Sequence, residues 1–385
     1  MGWKSSTFVH LLYFLSILLG GFFINIIQAL LFFTLKQINK DLYHKINYYL
    51  TYGVQTLLVF LVDWWCKVEL RLHMDDETNK EFGRKHALIT LNHTYEVDMF
   101  TGWLVAERTG ILGATKGVTK KSLAYLPTIG WTWRCSDYIV VNRNFDKDKE
   151  VIQKTCNILG DYPFPTWMAV FPEGTRFTAT KHAASMEFAQ KSGIPTLKRH
   201  LIPRTRGFVQ LVQSLKGKYP VLYDYTISYN KKEGAEPRFY DILCGKPMIC
   251  EIYIRQFNFE DLPDDDEGIS EWLQQLFREK DELLDSYINT GSFTAENTHP
   301  AHPVFVPERR PYSLLNTGAW AIVMLYLLVV GAATMIKSGV IGVVVLILGT
   351  ALAFYGLQVM ISLTRVDKAS QYGISSHKNS SHKNK

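Results

Sequence analysis

Two short clusters carry residue types able to do chemistry. Leu91-Asn92-His93-Thr94-Tyr95-Glu96-Val97-Asp98 places an imidazole and a carboxylate five positions apart. On one continuous helix that spacing turns the two side chains well apart around the axis. They meet only if His93 lies in the turn before a helix and Asp98 lies in its first turns. Asp98 then accepts from one ring nitrogen and leaves the other free as a general base. The second cluster is Phe171-Pro172-Glu173-Gly174-Thr175-Arg176. A strand ending in Phe-Pro with Gly close behind gives a tight turn that exposes backbone N–H groups. Arg176 offers a planar fork suited to phosphate or carboxylate, and Glu173 is placed to pair with it or to bind a substrate hydroxyl. Lys120, Lys121 and Arg143 add further cations, and Leu201-Ile202-Pro203-Arg204-Thr205 reads as another strand-end turn near a pocket. The plainer readings are a helix-entry His with a solvated Asp, an ordinary Pro-Gly turn with a surface ion pair, and solvated lysines.

The chemistry is bounded by motifs that do not occur. The chain has no GxSxG nucleophile elbow, no GxxxxGK[ST] phosphate loop and no HExxH pair. Serine hydrolysis, nucleotide hydrolysis and zinc-protease chemistry lose their usual carriers. A His–Asp pair beside phosphate-binding cations, without a side-chain nucleophile, fits direct attack by a substrate hydroxyl.

These clusters need a frame. His86–Leu91, Ser136–Val141, Trp167–Phe171 and Val221–Tyr229 read as strands, while Met99–Arg108 and about Asp146–Leu159 read as helices. Alternation of this kind predicts an α/β fold, a mixed sheet flanked by helices. The polar clusters follow the strands directly, where ligands bind in open α/β sheets. No repeat of 20–50 residues is present, which excludes a solenoid.

The ends of the chain have a different character. Hydrophobic residues make up 47% of the 385 and collect at both termini. Thr7–Leu35 is apolar except for Asn25 and Gln28, long enough to cross a bilayer and too long for a cleaved signal peptide. The segment 48–65 ends in Asp63-Trp64-Trp65, a pattern expected at headgroup level, so it crosses the bilayer or lies in its interface; the alternative is a buried core helix. Leu314–Ile336 and Val340–Leu363 form a membrane hairpin. The expected organisation is a membrane anchor over 1–66, a cytosolic catalytic domain over 67–310, a hairpin over 311–364 and a disordered basic tail over 365–385. Much of the net charge of +6 sits beside the apolar runs, at Lys36, Lys40, Lys45, Arg309, Arg310, Arg365 and Lys368. Cations there are expected to face anionic headgroups and to mark the cytosolic side; nothing suggests a nucleic-acid partner. Five scattered cysteines without CxxC argue against a disulfide framework or a structural zinc site.

Taken together, Asn92–Asp98 and Phe171–Arg176 resemble the first and third signature blocks of the glycerophospholipid acyltransferases. Thr119-Lys120-Lys121-Ser122-Leu123 through Ile129-Gly130-Trp131 is similar to the family's AKKEL…IGW region, with Ser122 in place of the usual acid. Arg143 matches the Arg of the second block, and Leu201–Gly207 resembles the fourth, in the form of animal 1-acylglycerol-phosphate acyltransferases with a C-terminal hairpin. The first block departs from many members, carrying Thr94-Tyr95-Glu96 where they have Arg-Ser-x.

The resemblance implies acyl transfer from acyl-CoA to lysophosphatidate, giving phosphatidate and CoA, with no metal, cofactor or acyl-enzyme. It implies His93 as base oriented by Asp98, with Lys120, Arg143 and Arg176 on the phosphate and Glu173, Gly174 and Thr175 shaping the turn. The implied partners are acyl-CoA, a lysophospholipid and membrane lipids, and the implied location is the endoplasmic reticulum membrane, with Golgi and mitochondrial outer membrane as alternatives. Other readings are the same reaction on lysophosphatidylinositol or a lysocardiolipin, a CoA-independent transacylase, and an inactive membrane-shaping scaffold.

Overall fold

All five residues of Ala87–Leu91 and all nine of Val221–Tyr229 are buried, as in strands covered on both faces. The structure, a computed structural model, describes residues 2–142, 144–295 and 298–364. Among these, one sheet contains β1 (Glu69–His73), β2 (Ala87–Leu91), β3 (Thr115–Lys120), β4 (Ile139–Val141), β5 (Trp167–Val170), β6 (Val221–Tyr229), β7 (Ile249–Asn258) and β8 (Val304–Phe305). Their order across the sheet is β4-β3-β5-β2-β6-β7-β1-β8. The run from β4 to β6 is parallel, β7 is antiparallel to β6, and β8 is antiparallel to β1. The expected mixed α/β sheet is therefore present, and its parallel half brings the carboxyl ends of β4, β3, β5 and β2 to one edge.

Side chains alternate between two cores. Ile89, Leu91, Trp167 and Tyr223 pack beneath helices Lys40–Phe60 and Asp98–Arg108. Leu88, Met168 and Leu222 face helices Phe145–Gly160, Thr205–Leu215 and Asp266–Thr290. Asp224 stands in the middle of β6, wholly buried, because its carboxylate accepts from Lys280 Nζ at 2.7 Å, Thr90 Oγ1 at 2.6 Å and Arg255 Nη2 at 2.9 Å. Burial alone would push that carboxyl up; the two cations hold it below the usual carboxylate range.

The strand expected over Ser136–Val141 is shorter. Asp137 takes a φ of +56°, which an extended strand cannot accommodate, so β4 begins only at Ile139. The Asp137 carboxylate is held by Lys36 Nζ at 2.8 Å and Tyr162 Oη at 2.7 Å. Beside this group lies Lys116 on β3, 3% exposed, its ammonium 4.9 Å from the centre of the Tyr162 ring. Burial pushes Lys116 down from 10.5 to about 8, with Asp137 opposing and Lys36 assisting. The folded state therefore binds fewer protons than the unfolded one between about pH 8 and 10.5. The cost of burying the ammonium is fully present below pH 8 and fades as pH rises through that window. Lys116→Met is expected to stabilise the protein at pH 7, by on the order of 3 kcal/mol at most, seen as a higher thermal inactivation midpoint, and to raise that midpoint less at pH 9.5. A gain independent of pH would mean that the ammonium carries no such cost.

Among the described residues, three helices are long and apolar enough to cross a membrane: Thr7–Ile38, Tyr312–Lys337 and Val340–Val359. The last two form the expected hairpin, turning at Ser338 and Gly339, where Gly339 has a φ of +79°. The polar interruptions of the first run face protein: Asn25 Nδ2 donates to Thr132 Oγ1 at 2.8 Å and Gln28 Nε2 to Asn47 Oδ1 at 2.8 Å. Phe23 stacks on Trp320 of the hairpin, ring centres 6.0 Å apart.

The segment over 48–65 packs inside the protein. It forms the end of helix Lys40–Phe60 and a π-helical turn over Leu61–Trp65. Leu57, Val59 and Val62 enter the sheet core, and Asp63 is fully buried against Arg108 at 2.9 Å. Its apolarity serves packing on the sheet, which is the buried-helix alternative. Three of the cations beside the apolar runs have protein partners. Lys36 pairs with Asp137, Arg309 lies 3.4 Å from Asp63, and Arg310 donates to the Glu107 carbonyl at 2.9 Å. Arg365, Lys368 and the basic tail over 365–385 lie outside the described residues.

Candidate active site

The helix beginning at Asp98 follows β2 after a short turn, so His93 sits before the helix and Asp98 at its first position. Nδ1 of His93 lies 3.1 Å from Oδ2 of Asp98. The same oxygen accepts the Thr94 and Tyr95 amides, each at 2.7 Å. An oxygen already accepting two N–H groups takes a third from the ring, so the proton belongs on Nδ1 and Nε2 keeps its lone pair. Asp98 is 1% exposed, whereas the His93 side chain is 21% exposed. Asn92 steadies the start of the turn by imitating a strand backbone. Its amide donates to the Ile227 carbonyl at 3.0 Å and its oxygen accepts the Ile227 N–H at 2.8 Å, extending the β2–β6 pairing by one residue. Tyr229, last on β6, bonds Thr101 at 2.8 Å and reaches Oδ1 of Asp98 at 3.4 Å.

The second cluster leaves the neighbouring strand β5. Gly174 N donates to the Phe171 carbonyl at 2.9 Å, closing a tight turn. Gly174 has a φ of +69°, and a Cβ there would stand 2.9 Å from the Arg204 side chain, so only glycine fits both constraints. Glu173 reaches inward. One oxygen accepts the His93 amide at 2.8 Å, the other the Leu201 amide at 3.0 Å, and the residue is 2% exposed. Its carboxylate therefore binds the two motifs together and shapes the turn between them. Burial pushes the Glu173 carboxyl up, opposed by His200 and by the two amides. Phe177 N returns a bond to the His93 carbonyl at 2.8 Å, and the Phe171 ring lies 4.4 Å from the His93 ring.

Arg176 is half-buried on this turn. Burial pushes its guanidinium down, while Glu96 and Asp98 hold it up, which places the cation within electrostatic reach of the His93–Asp98 pair. Lys120 ends β3, beside β5, and its register partner is Val141 on β4. Arg143, two residues beyond Val141 in sequence, lies outside the described residues. Leu201–Arg204 is a loop leading into helix Thr205–Leu215, not a strand end. It still reaches the site through Leu201 N and through Arg204 N, which donates to the Pro172 carbonyl at 2.8 Å.

Two contributors escaped the sequence reading. Lys181, 4% exposed on the following helix, donates to Thr175 Oγ1 at 2.6 Å and to the Arg176 carbonyl at 3.3 Å, gripping the turn from behind. His200 is wholly buried, with Nδ1 3.0 Å from Asp281, and stands behind Glu173. Neither belongs to a recognisable string; a lysine on a helix and a histidine in a loop carry no signal until the fold is known. The five cysteines are free thiols, and burial pushes Cys66 and Cys156 up to about 12, far from a reactive thiolate.

The arrangement is a base with a fixed tautomer, joined through one buried carboxylate to a turn that presents a guanidinium. Comparison with known proteins shows the family. A family model described as acyltransferase matches residues 70–229, and one described as acyltransferase C-terminus matches residues 241–320. The 1-acyl-sn-glycerol-3-phosphate acyltransferase delta of Rattus norvegicus is 38% identical over 371 residues, 96% of each chain. The human gamma enzyme is 37% identical over 371 residues, again 96% of each chain. Among solved structures, the 1-acyl-sn-glycerophosphate acyltransferase from Thermotoga maritima is similar at 14% identity and a TM-score of 0.38, covering 68% of this chain and 96% of that one. The chain belongs to the acyltransferase family, alongside the animal 1-acyl-sn-glycerol-3-phosphate acyltransferases.

Proposed function

We propose that this chain transfers a fatty acyl group from acyl-CoA to the 2-hydroxyl of lysophosphatidate, giving phosphatidate and CoA. The observation that carries the reading is the His93–Asp98 pair, with Nδ1 held by the carboxylate and Nε2 left for a substrate proton. Nε2 takes the hydroxyl proton as the oxygen attacks the thioester carbonyl, and Asp98 stabilises the imidazolium that forms. The tetrahedral intermediate collapses by expelling the CoA thiolate, to which the imidazolium returns the proton. The His93, Thr94, Tyr95, Gly174 and Phe177 amides already have acceptors, so oxyanion stabilisation falls to other donors. Arg176, Lys120 and Arg143 bind the phosphate monoester. The names of the similar animal enzymes point to the same acceptor. The apolar helices hold the domain at the bilayer, where acceptor and product reside, and the catalytic edge faces the cytosolic pool of acyl-CoA. The endoplasmic reticulum is the membrane this reading favours.

The test is acyl transfer by purified full-length protein, with labelled oleoyl-CoA offered together with lysophosphatidate or with other lysophospholipids. Labelled phosphatidate as main product supports the reading; acylation of a different lysophospholipid in preference changes the acceptor, and no product from any acceptor overturns it. In the same assay Arg176→Gln is expected to raise KM for lysophosphatidate about 10- to 100-fold, the worth of one charged hydrogen bond, with KM for oleoyl-CoA unchanged. Equal rises in both constants would remove Arg176 from the phosphate.

A further inference from the structure

The helix that begins at Asp98 ends at Arg108, and that far end is held by parts of the chain distant in sequence. The Arg108 guanidinium bonds Asp63 at 2.9 Å, the Val68 carbonyl at 2.9 Å and the Pro307 carbonyl at 3.3 Å. Glu107 is wholly buried; Tyr52 Oη donates to its side chain at 2.9 Å, while Arg310 Nη1 donates to its main-chain carbonyl at 2.9 Å. Arg309 adds a second cation, 3.4 Å from the buried Asp63 carboxylate. Pro307, Arg309 and Arg310 immediately precede hairpin helix Tyr312–Lys337.

The charges make these contacts more than decoration. Asp63 and Glu107 bring two carboxylates to a largely buried site in which Arg108 is the cation of the same helix, so Arg309 and Arg310 from the hairpin root more than offset the one negative charge left over. Arg310 also sits at the carbonyl end of the helix, where a cation complements the macrodipole. Asn316 fastens the hairpin's first turns to helix Lys40–Phe60, its amide donating to the Gly53 carbonyl at 2.8 Å and to Thr56 Oγ1 at 2.9 Å.

We infer that the root of the C-terminal hairpin is a positioning element for acyl transfer: Arg309 and Arg310 fix the far end of the helix whose first residue, Asp98, orients His93. This rests on the His93 reading above. An 11-residue helix is a rigid rod, so a shift at Arg108 moves Asp98 with it, and displacement of a reacting group by about 1 Å costs on the order of a hundredfold in rate. The hairpin thus couples seating in the bilayer to the geometry of the base, besides anchoring the protein. Arg309 and Arg310 are positioning residues; neither touches the reacting atoms.

The test uses full-length protein in lipid nanodiscs and a double-mutant cycle. Arg309→Gln with Arg310→Gln leaves both apolar spans unchanged, so membrane insertion is retained. Here kcat is expected to fall about 10- to 100-fold, with KM for both substrates within about twofold. In an Asp98→Asn background the same pair of changes is expected to cost less than about threefold, because the helix no longer has a carboxylate to place. Arg310→Lys, which keeps the cation, is expected to restore most of the loss in the single variant Arg310→Gln. Unchanged kcat, or losses that multiply fully with Asp98→Asn, would overturn the inference and leave the hairpin as an anchor only. Should the double Gln variant fail to fold, Arg310→Gln alone carries the same cycle under the same criteria. Wild-type turnover by His93→Ala, measured in parallel, would instead bring down the acyl-transfer reading itself.

Discussion

His93→Ala is expected to lower kcat for acyl transfer by about a thousandfold, with KM for oleoyl-CoA nearly unchanged. The alanine variant removes the only group in the His93–Asp98 pair placed to take the hydroxyl proton, while the turn around it keeps its other bonds. Asp98 would still accept the Thr94 and Tyr95 amides, and Glu173 would still hold the residue 93 amide, so the backbone scaffold stays. Asp98→Asn is expected to act by a different route and to cost somewhat less, about a hundredfold. An asparagine oxygen can go on accepting the two amides, but it brings no negative charge to the imidazolium that forms during attack. The pair is measured by single-turnover transfer at matched protein in membranes. If Asp98→Asn were to cost nothing while His93→Ala cost everything, the carboxylate would be part of the scaffold alone.

How much of this was open to reading before the fold was known differs from residue to residue. The His93–Asp98 contact was legible because a five-residue spacing admits few geometries, and strand–turn–helix is the one that works. β2 was legible as a nearly unbroken apolar run, and β6 from its β-branched and aromatic residues in spite of Asp224, Thr226 and Ser228. β3 was not: Thr-Lys-Gly-Val-Thr-Lys is a polar string held as a strand between β4 and β5, with Lys116 buried against Tyr162 near Asp137. β7 carries Glu251 and Arg255, which break an apolar pattern, and each is paired on neighbouring elements, Glu251 with His73 at 2.9 Å and Arg255 with Asp224 at 2.9 Å. Tertiary partners of this kind leave no local trace. The same limit explains the cations near the membrane. Arg309 and Arg310 look like lipid-facing residues in sequence, because nothing local announces that Asp63 and the Glu107 carbonyl, some 200 positions earlier, will meet them. Glu173 was legible as a residue that shapes the turn, but not the two amides it would hold, since a motif fixes a residue's place and not the direction in which its side chain turns.

That direction makes the strongest remaining prediction. Glu173 spans two main-chain donors that belong to different parts of the site, the His93 amide and the Leu201 amide. Glu173→Ala leaves both buried without an acceptor, at a cost of about 1–3 kcal/mol each, and releases the base turn from the loop at Leu201. A kcat about a hundredfold lower is expected, together with a lower thermal inactivation midpoint. Glu173→Gln offers one acceptor and turns an NH2 toward the second amide, so it should recover only part of either loss. Glu173→Asp decides the reason: it keeps the negative charge but shortens the reach by one methylene, roughly 1.5 Å, too little to span both amides. If Glu173 acts by bridging, the aspartate variant is nearly as impaired in kcat as alanine, with KM for lysophosphatidate little changed. If the residue instead contacted a substrate hydroxyl, the charge-conserving change would raise that KM while kcat at saturation held. A carboxylate with each oxygen turned inward onto a main-chain amide and 2% exposure is closed to substrate by burial, so the loss should fall on kcat.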